Sequence, residues 1–209
     1  MSAVATSLDV ALWSVLFASA VGVPIGIAVA LGKFPMKRTV RVVLNSLMAM
    51  PTVVIGLLAY GLLSRQGPLG FLGLLFTPRA MIFGQAILAT PIVANYTLSA
   101  MQGADERILP TALTLGASSV QSVVQLAREV RFGIMASIIA GFGRVISEVG
   151  VAMMLGGNIR FFTRTMTTAI ALETSKGEFA FGLALGVILM AVSLTINIFL
   201  TVAQEGHRP

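Results

Sequence analysis

Arg144 and Glu148 stand one helical turn apart inside Phe132 to Leu155, a run that is otherwise uncharged. A lone charge at the middle of a membrane costs ~2.5–3.5 kcal/mol on insertion scales, so such residues need partners or a task. The i, i+4 spacing lets the two pair, although Arg before Glu is the weaker order on a helix. Two uses fit: a buried pair that sets the rotation of the helix, or a polar lining or gate beside a route. Just beyond lie Gly156-Gly157-Asn158-Ile159-Arg160 and a threonine-rich run, Thr163, Thr165, Thr167 and Thr168. Hydroxyls, free backbone N–H groups and guanidinium are the donors that an oxyanion would meet. A polar external loop of structural character is the alternative.

Catalysis finds little support in the residue types. No second acid, histidine or metal set accompanies Glu148, which argues against an intramembrane enzyme. The one histidine, His207, is three residues from the end of the sequence and is expected to be solvated. There is no cysteine, which excludes disulfides, thiolate metal sites and thiol chemistry. No G-x-x-x-x-G-K-[ST] occurs, so a P-loop is absent and any nucleotide-driven step needs a separate ATPase chain.

The elements that must hold these residues are membrane spans. Of the 209 residues, 56% are hydrophobic and only 11% charged, about half the charged fraction of a soluble domain. Mean hydropathy is +0.94. Five segments are long and apolar enough to cross ~30 Å of hydrocarbon: Leu8 to Leu31, Val42 to Leu63, Met81 to Met101, Phe132 to Leu155 and Phe179 to Val202. The first has no Lys or Arg before it and is expected to be a retained span, not a signal peptide. Its Gly22-Val23-Pro24-Ile25-Gly26 offers a G-x-x-x-G surface for close helix approach, with a kink expected at Pro24. Pro51 and Pro91, beside Thr52 and Thr90, are expected to interrupt the second and third spans. Trp13 is expected at the interface or in packing. Glu173-Thr174-Ser175-Lys176-Gly177-Glu178 reads as a helix end with a glycine cap.

A formal charge of +6 reports topology here, not nucleic acid. Lys33, Lys37, Arg38, Arg41, Arg107, Arg128, Arg131 and Arg208 fall on one side; Arg65, Arg79, Arg160, Arg164 and Lys176 fall on the other. That bias puts the N-terminus outside and the C-terminus in the cytoplasm. On the cytoplasmic side lies the polar stretch Gln102 to Arg131. Within it, Ser119 to Val130 is expected to be an amphipathic surface helix with Val120, Val123, Val124 and Ala127 on its apolar face. The stretch is too polar to span and suits a docking element for a partner.

At this point the chain resembles a family. Pro110-Thr111-Ala112-Leu113-Thr114-Leu115-Gly116-Ala117-Ser118 resembles the cytoplasmic E-A-A-x-x-x-G motif of ABC importer permeases. Ala112 and Gly116 match, and Ala117-Ser118 follow the usual text. Pro110 stands where the motif has Glu, and Arg128-Glu129 where a Leu-Pro is expected. Gly141-Phe142-Gly143-Arg144-Val145-Ile146-Ser147-Glu148-Val149-Gly150, followed by Met154-Leu155-Gly156-Gly157-Asn158-Ile159, resembles the G-R-x-x-x-E-x-G core and closing G-x-N-I of molybdate and sulfate permeases. Ser147-Glu148-Val149-Gly150, the run Thr163 to Ile170 and Glu173 to Phe179 are similar to the tungstate branch.

The resemblance implies an all-α, polytopic helical bundle of about five transmembrane helices with the type I ABC importer permease (MetI-like) fold. It implies one transmembrane permease domain over residues 1–209, with a coupling segment at about 102–131. Pro110, Thr111, Ala112, Leu115, Gly116, Ala117 and Ser118 would meet the ATPase. Arg144, Glu148 and Asn158 are the candidates for the translocation path or gate. Implied partners are a second copy of the chain, two ABC ATPase subunits carrying ATP-Mg, an extracytoplasmic solute-binding protein, and membrane lipid. The chain itself would hold no cofactor and no metal. Its cargo would be an oxyanion, tungstate first, with molybdate or sulfate as alternatives. A passive channel or facilitator is the competing reading from another class.

Overall fold

The computed structural model describes residues 2–32 and 34–205. Lys33, His207 and Arg208, used above for charge and metal arguments, lie outside the described residues. Every regular element is helical: α1 (Ala3–Leu31), α2 (Lys37–Met48), α3 (Thr52–Leu63), α4 (Pro78–Gln102), α5 (Ile108–Thr114), α6 (Ser119–Glu129), α7 (Arg131–Ile146), α8 (Gly150–Gly156), α9 (Met166–Ser175) and α10 (Phe179–Glu205), with a 3-10 turn at Gly70–Leu72.

Three helices, α1, α4 and α10, are long and apolar enough to cross a bilayer singly. The other two expected spans are each two helices. α2 and α3 meet at 98°, and α7 and α8 at 62°. Pro51 does break its span: it precedes α3 and its carbonyl accepts from the Val54 and Ile55 N–H groups. Pro91 corrects the expectation, because α4 runs through it without a break and buries it. Pro24, where only a kink is expected, also lies inside a helix, α1. A proline loses one hydrogen bond, which a well-packed helix can sustain when its neighbours hold it.

The neighbours in this case are α1 and α4 themselves. Ser14 of α1 reaches Gln85 of α4, Gly22 faces Thr90 to Ala94, and Gly26 faces Ala94 and Thr97. The residue numbers rise together, so the two helices run parallel. A Cβ on Gly26 would stand 2.5 Å from the Ala94 carbonyl oxygen, and one on Gly22 2.9 Å from that of Thr90. The G-x-x-x-G surface is therefore a backbone-to-backbone contact, and α4 is the partner it serves.

Two ends of the bundle are defined by what packs there. Val29, Ala30, Leu98, Met101 and Leu126 cluster at one end, with Val40, Leu109 and Val130 against them. The same end receives α10, whose Gln204 Nε2 donates to the Phe132 carbonyl at 2.7 Å. Val10, Leu63, Met81, Val151 and Leu155 form the opposite end. The loops after α1 and after α4 thus share one face, as the basic residues divide them. α10 packs through Ile196 and Leu200, yet its most apolar stretch has no buried residue, with Leu183, Met190, Ile198 and Phe199 all exposed.

Alanine at Gly26 should be costly and alanine at Gly186 should not. The first overpacks against backbone, at about 1–3 kcal/mol. The second enters open space and gains helix propensity of roughly 0.8–1 kcal/mol. Thermal unfolding of the two variants in detergent should show a lowered midpoint for Gly26→Ala alone; equal midpoints would deny the contact.

Candidate functional site

The two broken spans break at the same place. A Cβ on Gly150, the first residue of α8, would meet Thr52 Oγ1 and the Val53 side chain, at the start of α3, at 3.0 Å each. Further along, Gly56 of α3 lies against Val151 and Met154 of α8. The second halves of both spans therefore pack on each other, and α8 also presses on α4, where Leu155 leaves no room for a side chain at Gly84. The sequence pointed to the break at Pro51 but not to the one at Glu148, which has no proline.

Glu148 lies in the second break, between α7 and α8, and is 3% exposed. One carboxylate oxygen receives the Arg144 guanidinium at 2.9 Å, the other accepts from the Val151 N–H at 3.2 Å. Its own carbonyl accepts from Thr167 Oγ1 at 2.8 Å. The carboxylate thus supplies the acceptor that the first turn of α8 lacks, while Arg144 balances its charge. Arg144 is different in kind: its side chain is 39% exposed and makes no second side-chain hydrogen bond among the described residues. The pair joins a buried anchor to a partly exposed cation.

Asn158 is placed elsewhere. It follows α8 with a positive φ of 52°, and its side-chain oxygen accepts from Arg164 Nε at 3.0 Å. Arg164 Nη2 also reaches the Asn158 carbonyl. The side chain closes a turn at the far end of α8 from Glu148. The threonines behind it are not free donors. Thr163, Thr165, Thr167 and Thr168 are all buried, and their hydroxyls bond to Gly156, Glu148, Ile159 and one another. Thr165 and Thr168 form the capping box of α9. What looked like an oxyanion surface or an external loop is a buried hydroxyl network that seats α9 against the second break. Ser7 of α1 joins it by accepting from the Met166 N–H at 2.8 Å.

The docking segment forms a helical hairpin. α5 carries Pro110 in its first turn, where a missing N–H costs nothing. Gly116, with φ 87°, turns the chain, and the Ala117 N–H returns to the Ala112 carbonyl at 3.0 Å. Ser118 and Gln121 then close a capping box on α6. Pro110, Thr111, Gly116 and Ser118 are exposed, and Ala112 and Ala117 half-buried. The expected faces of α6 need correction. Ser122 and Leu126 are its buried residues, whereas Val120 is 73% exposed and Val124 is exposed as well. Leu126 belongs to the cluster with Val29 and Met101, and that tertiary contact outweighs the valine periodicity. Leu115, 82% exposed, joins Ala112, Ala117, Val120, Val124 and Arg128 in lining an open groove.

A family model described as binding-protein-dependent transport system inner membrane component matches residues 22–206. The chain belongs to that family. This inner membrane component is 43% identical to a probable anion ABC transporter permease protein of Haloferax volcanii, over 94% of this chain and 87% of the relative. It is 40% identical to the tungstate uptake system permease protein TupB of Peptoclostridium acidaminophilum, over 90% and 82%. A molybdenum transport system permease protein ModB of Azotobacter vinelandii is 29% identical over 86% and 83%. Among solved structures, the inward-facing MetNI methionine ABC transporter superposes with a TM-score of 0.75 at 18% identity, over 95% of this chain and 93% of that one. The fold is that of the MetI-like permeases, as expected, and the chain is a membrane-embedded transport component.

Removing the carboxylate should separate its two roles. Glu148→Ala loses both the ion pair and the acceptor for Val151, and should cost about 1–3 kcal/mol of unfolding free energy. Glu148→Gln keeps an acceptor oxygen and should cost less. Equal melting temperatures for the two variants would show that the contact to α8 contributes nothing.

Proposed function

We propose that this chain is the permease subunit of an ATP-driven importer for an oxyanion, and that the oxyanion is tungstate. The observation that carries the cargo is the 40–41% identity to two tungstate uptake permeases, against 29% for a molybdenum permease. Two copies of the chain would form the membrane unit. A solute-binding protein would deliver the anion from outside, and two ATPase subunits carrying ATP-Mg would dock from the cytoplasm. The chain would then hold no cofactor and perform no hydrolysis itself. The exposed α5–α6 groove, with Leu115 and Val120 at its rim, is the surface proposed for the ATPase. An apolar knob of this size on a soluble face suits burial in a cleft of a partner.

Work done on that hairpin has a short way to travel. α6 passes through Val130 into α7, and α7 ends at the Glu148 break. A docked ATPase that favours one hairpin position would favour one arrangement of the break, and nucleotide would shift the population between them. Arg144, open on one side, is the residue proposed to meet the passing anion. Glu148 would hold it in place, and Asn158 would act only through its turn.

Uptake by cells lacking this chain tests the cargo. Restoring the chain should restore tungstate uptake, with molybdate and sulfate as weak competitors; uptake set equally by molybdate would move the assignment to that anion. Glu148→Gln should impair uptake while the ATPase still copurifies, and wild-type uptake in that variant would reduce Glu148 to packing. Orientation has its own test, since the chain has no cysteine. A cysteine at Phe71, 82% exposed, should react with a membrane-impermeant maleimide on intact cells. One at Leu115 should react only after permeabilisation, and less when the ATPase is bound. The reverse pattern would invert the topology and end the docking proposal.

A further inference from the structure

At the end of the bundle opposite the docking hairpin, an open cavity of roughly 1100 Å³ lies between α1, the loop before α4, and α4. Two charged residues line it, Asp9 and Arg79. Asp9 is half-buried within α1 and Arg79 is exposed in the first turn of α4. Neither makes a hydrogen bond or ion pair among the described residues. The parallel pairing of α1 with α4 sets Ser14 beside Gln85. Carried back toward the N-termini, the same offset places Asp9 and Arg79 at one level. A carboxylate near the membrane boundary without a protein partner calls for another one.

Depth supplies the second observation. Asp9 is the seventh residue of α1, roughly 9 Å from the start of the helix at 1.5 Å per residue, at the outset of the apolar run that begins at Leu8. From there the cavity runs inward along Trp13, Phe17 and Phe83. Trp13 and Phe17 are about half exposed, with ring centroids 6.1 Å apart. The wall is thus charged at the mouth with both signs, and aromatic below. That is the polarity of a phospholipid: headgroup at the surface, chains in the interior.

We infer that this cavity is a binding site for a zwitterionic glycerophospholipid with a primary ammonium headgroup. The ammonium donates to the Asp9 carboxylate, and the Arg79 guanidinium donates to the phosphate oxygens. One acyl chain lies along Trp13, Phe17 and Phe83. A quaternary ammonium has no N–H to give Asp9, and an anionic lipid leaves Asp9 facing like charge. The site is separate from the break at Glu148 and does not depend on which anion is carried.

Trp13 is the single tryptophan of the chain, so its fluorescence reports on this cavity alone. The full chain is reconstituted in vesicles containing a minor fraction of lipid with brominated acyl chains, which quench tryptophan on contact. Brominated phosphatidylethanolamine should quench at ~fivefold lower mole fraction than brominated phosphatidylcholine, the ratio expected of one partly screened ion pair. Asp9→Asn should abolish that preference, and Arg79→Gln should weaken quenching by both lipids. Arg65→Gln, at the same end but outside the cavity, should change neither. Equal quenching by both lipids, unaltered by the variants, would mean bulk lipid contact and overturn the proposal. Stronger quenching by brominated phosphatidylglycerol would overturn it as well, since Asp9 would then have no role. Absence of quenching by any lipid would show Trp13 covered by a second copy or another protein, and would equally refute it.

Discussion

Hydrocarbon offers no hydrogen bonds, so a helix that stops inside a membrane must find partners for its loose ends within the protein. This chain stops two of its five spans short and turns both sharply. It meets the requirement by bringing the breaks together. Gly150 sits against Thr52 and Val53, Glu148 accepts from Val151, and Thr167 closes on the Glu148 carbonyl. The placement of α3, α8 and α9 follows from those contacts. An uninterrupted span at the second position would remove the Glu148 carbonyl that Thr167 of α9 bonds.

Around that junction the molecule divides into a stiff part and an exposed part. The stiff part is the parallel pair α1 and α4, whose glycines bring backbone against backbone with no side chain between. Packed interiors of this kind move as units, not by continuous deformation. The exposed part is the α5–α6 hairpin and the long helix α10. The hairpin joins the stiff pair mainly through Leu126 and its neighbours and joins the junction through α7. α6, Val130 and α7 thus form one continuous piece of chain between the hairpin and the break.

Much of this arrangement is legible in the sequence, and the failures have physical causes. Hydropathy alone locates the spans because a bilayer imposes a length and a composition at once. The G-x-x-x-G of α1 identifies a close contact, although only the structure supplies α4 as its other side. Proline alone does not decide where a span stops: Pro51 marks a break, but Pro91 lies inside a continuous helix, because packing holds α4 through the lost hydrogen bond. The break at Glu148 has no proline to announce it and rests on a side-chain cap that only tertiary structure provides. The buried face of α6 departs from its valine spacing for a similar reason. Its valines have the right spacing, but Leu126 has the neighbours. The threonine run was chemically suggestive and structurally spent, since burial had already committed its hydroxyls. Asp9 leaves little trace in hydropathy, because it stands at the edge of an apolar run where a single carboxylate hardly alters the average.

The glycines of this chain answer to two separate demands, and Gly116 isolates one of them. At Gly26 the difficulty for any other residue is volume. At Gly116 a Cβ would meet nothing within 4 Å, yet φ is 87°, a region that L-residues enter at a cost of roughly 1–2 kcal/mol. The elbow between α5 and α6 is therefore a requirement of handedness, not of space. A D-alanine introduced there by chemical synthesis has the mirror-image preference and would fit the turn that L-alanine resists.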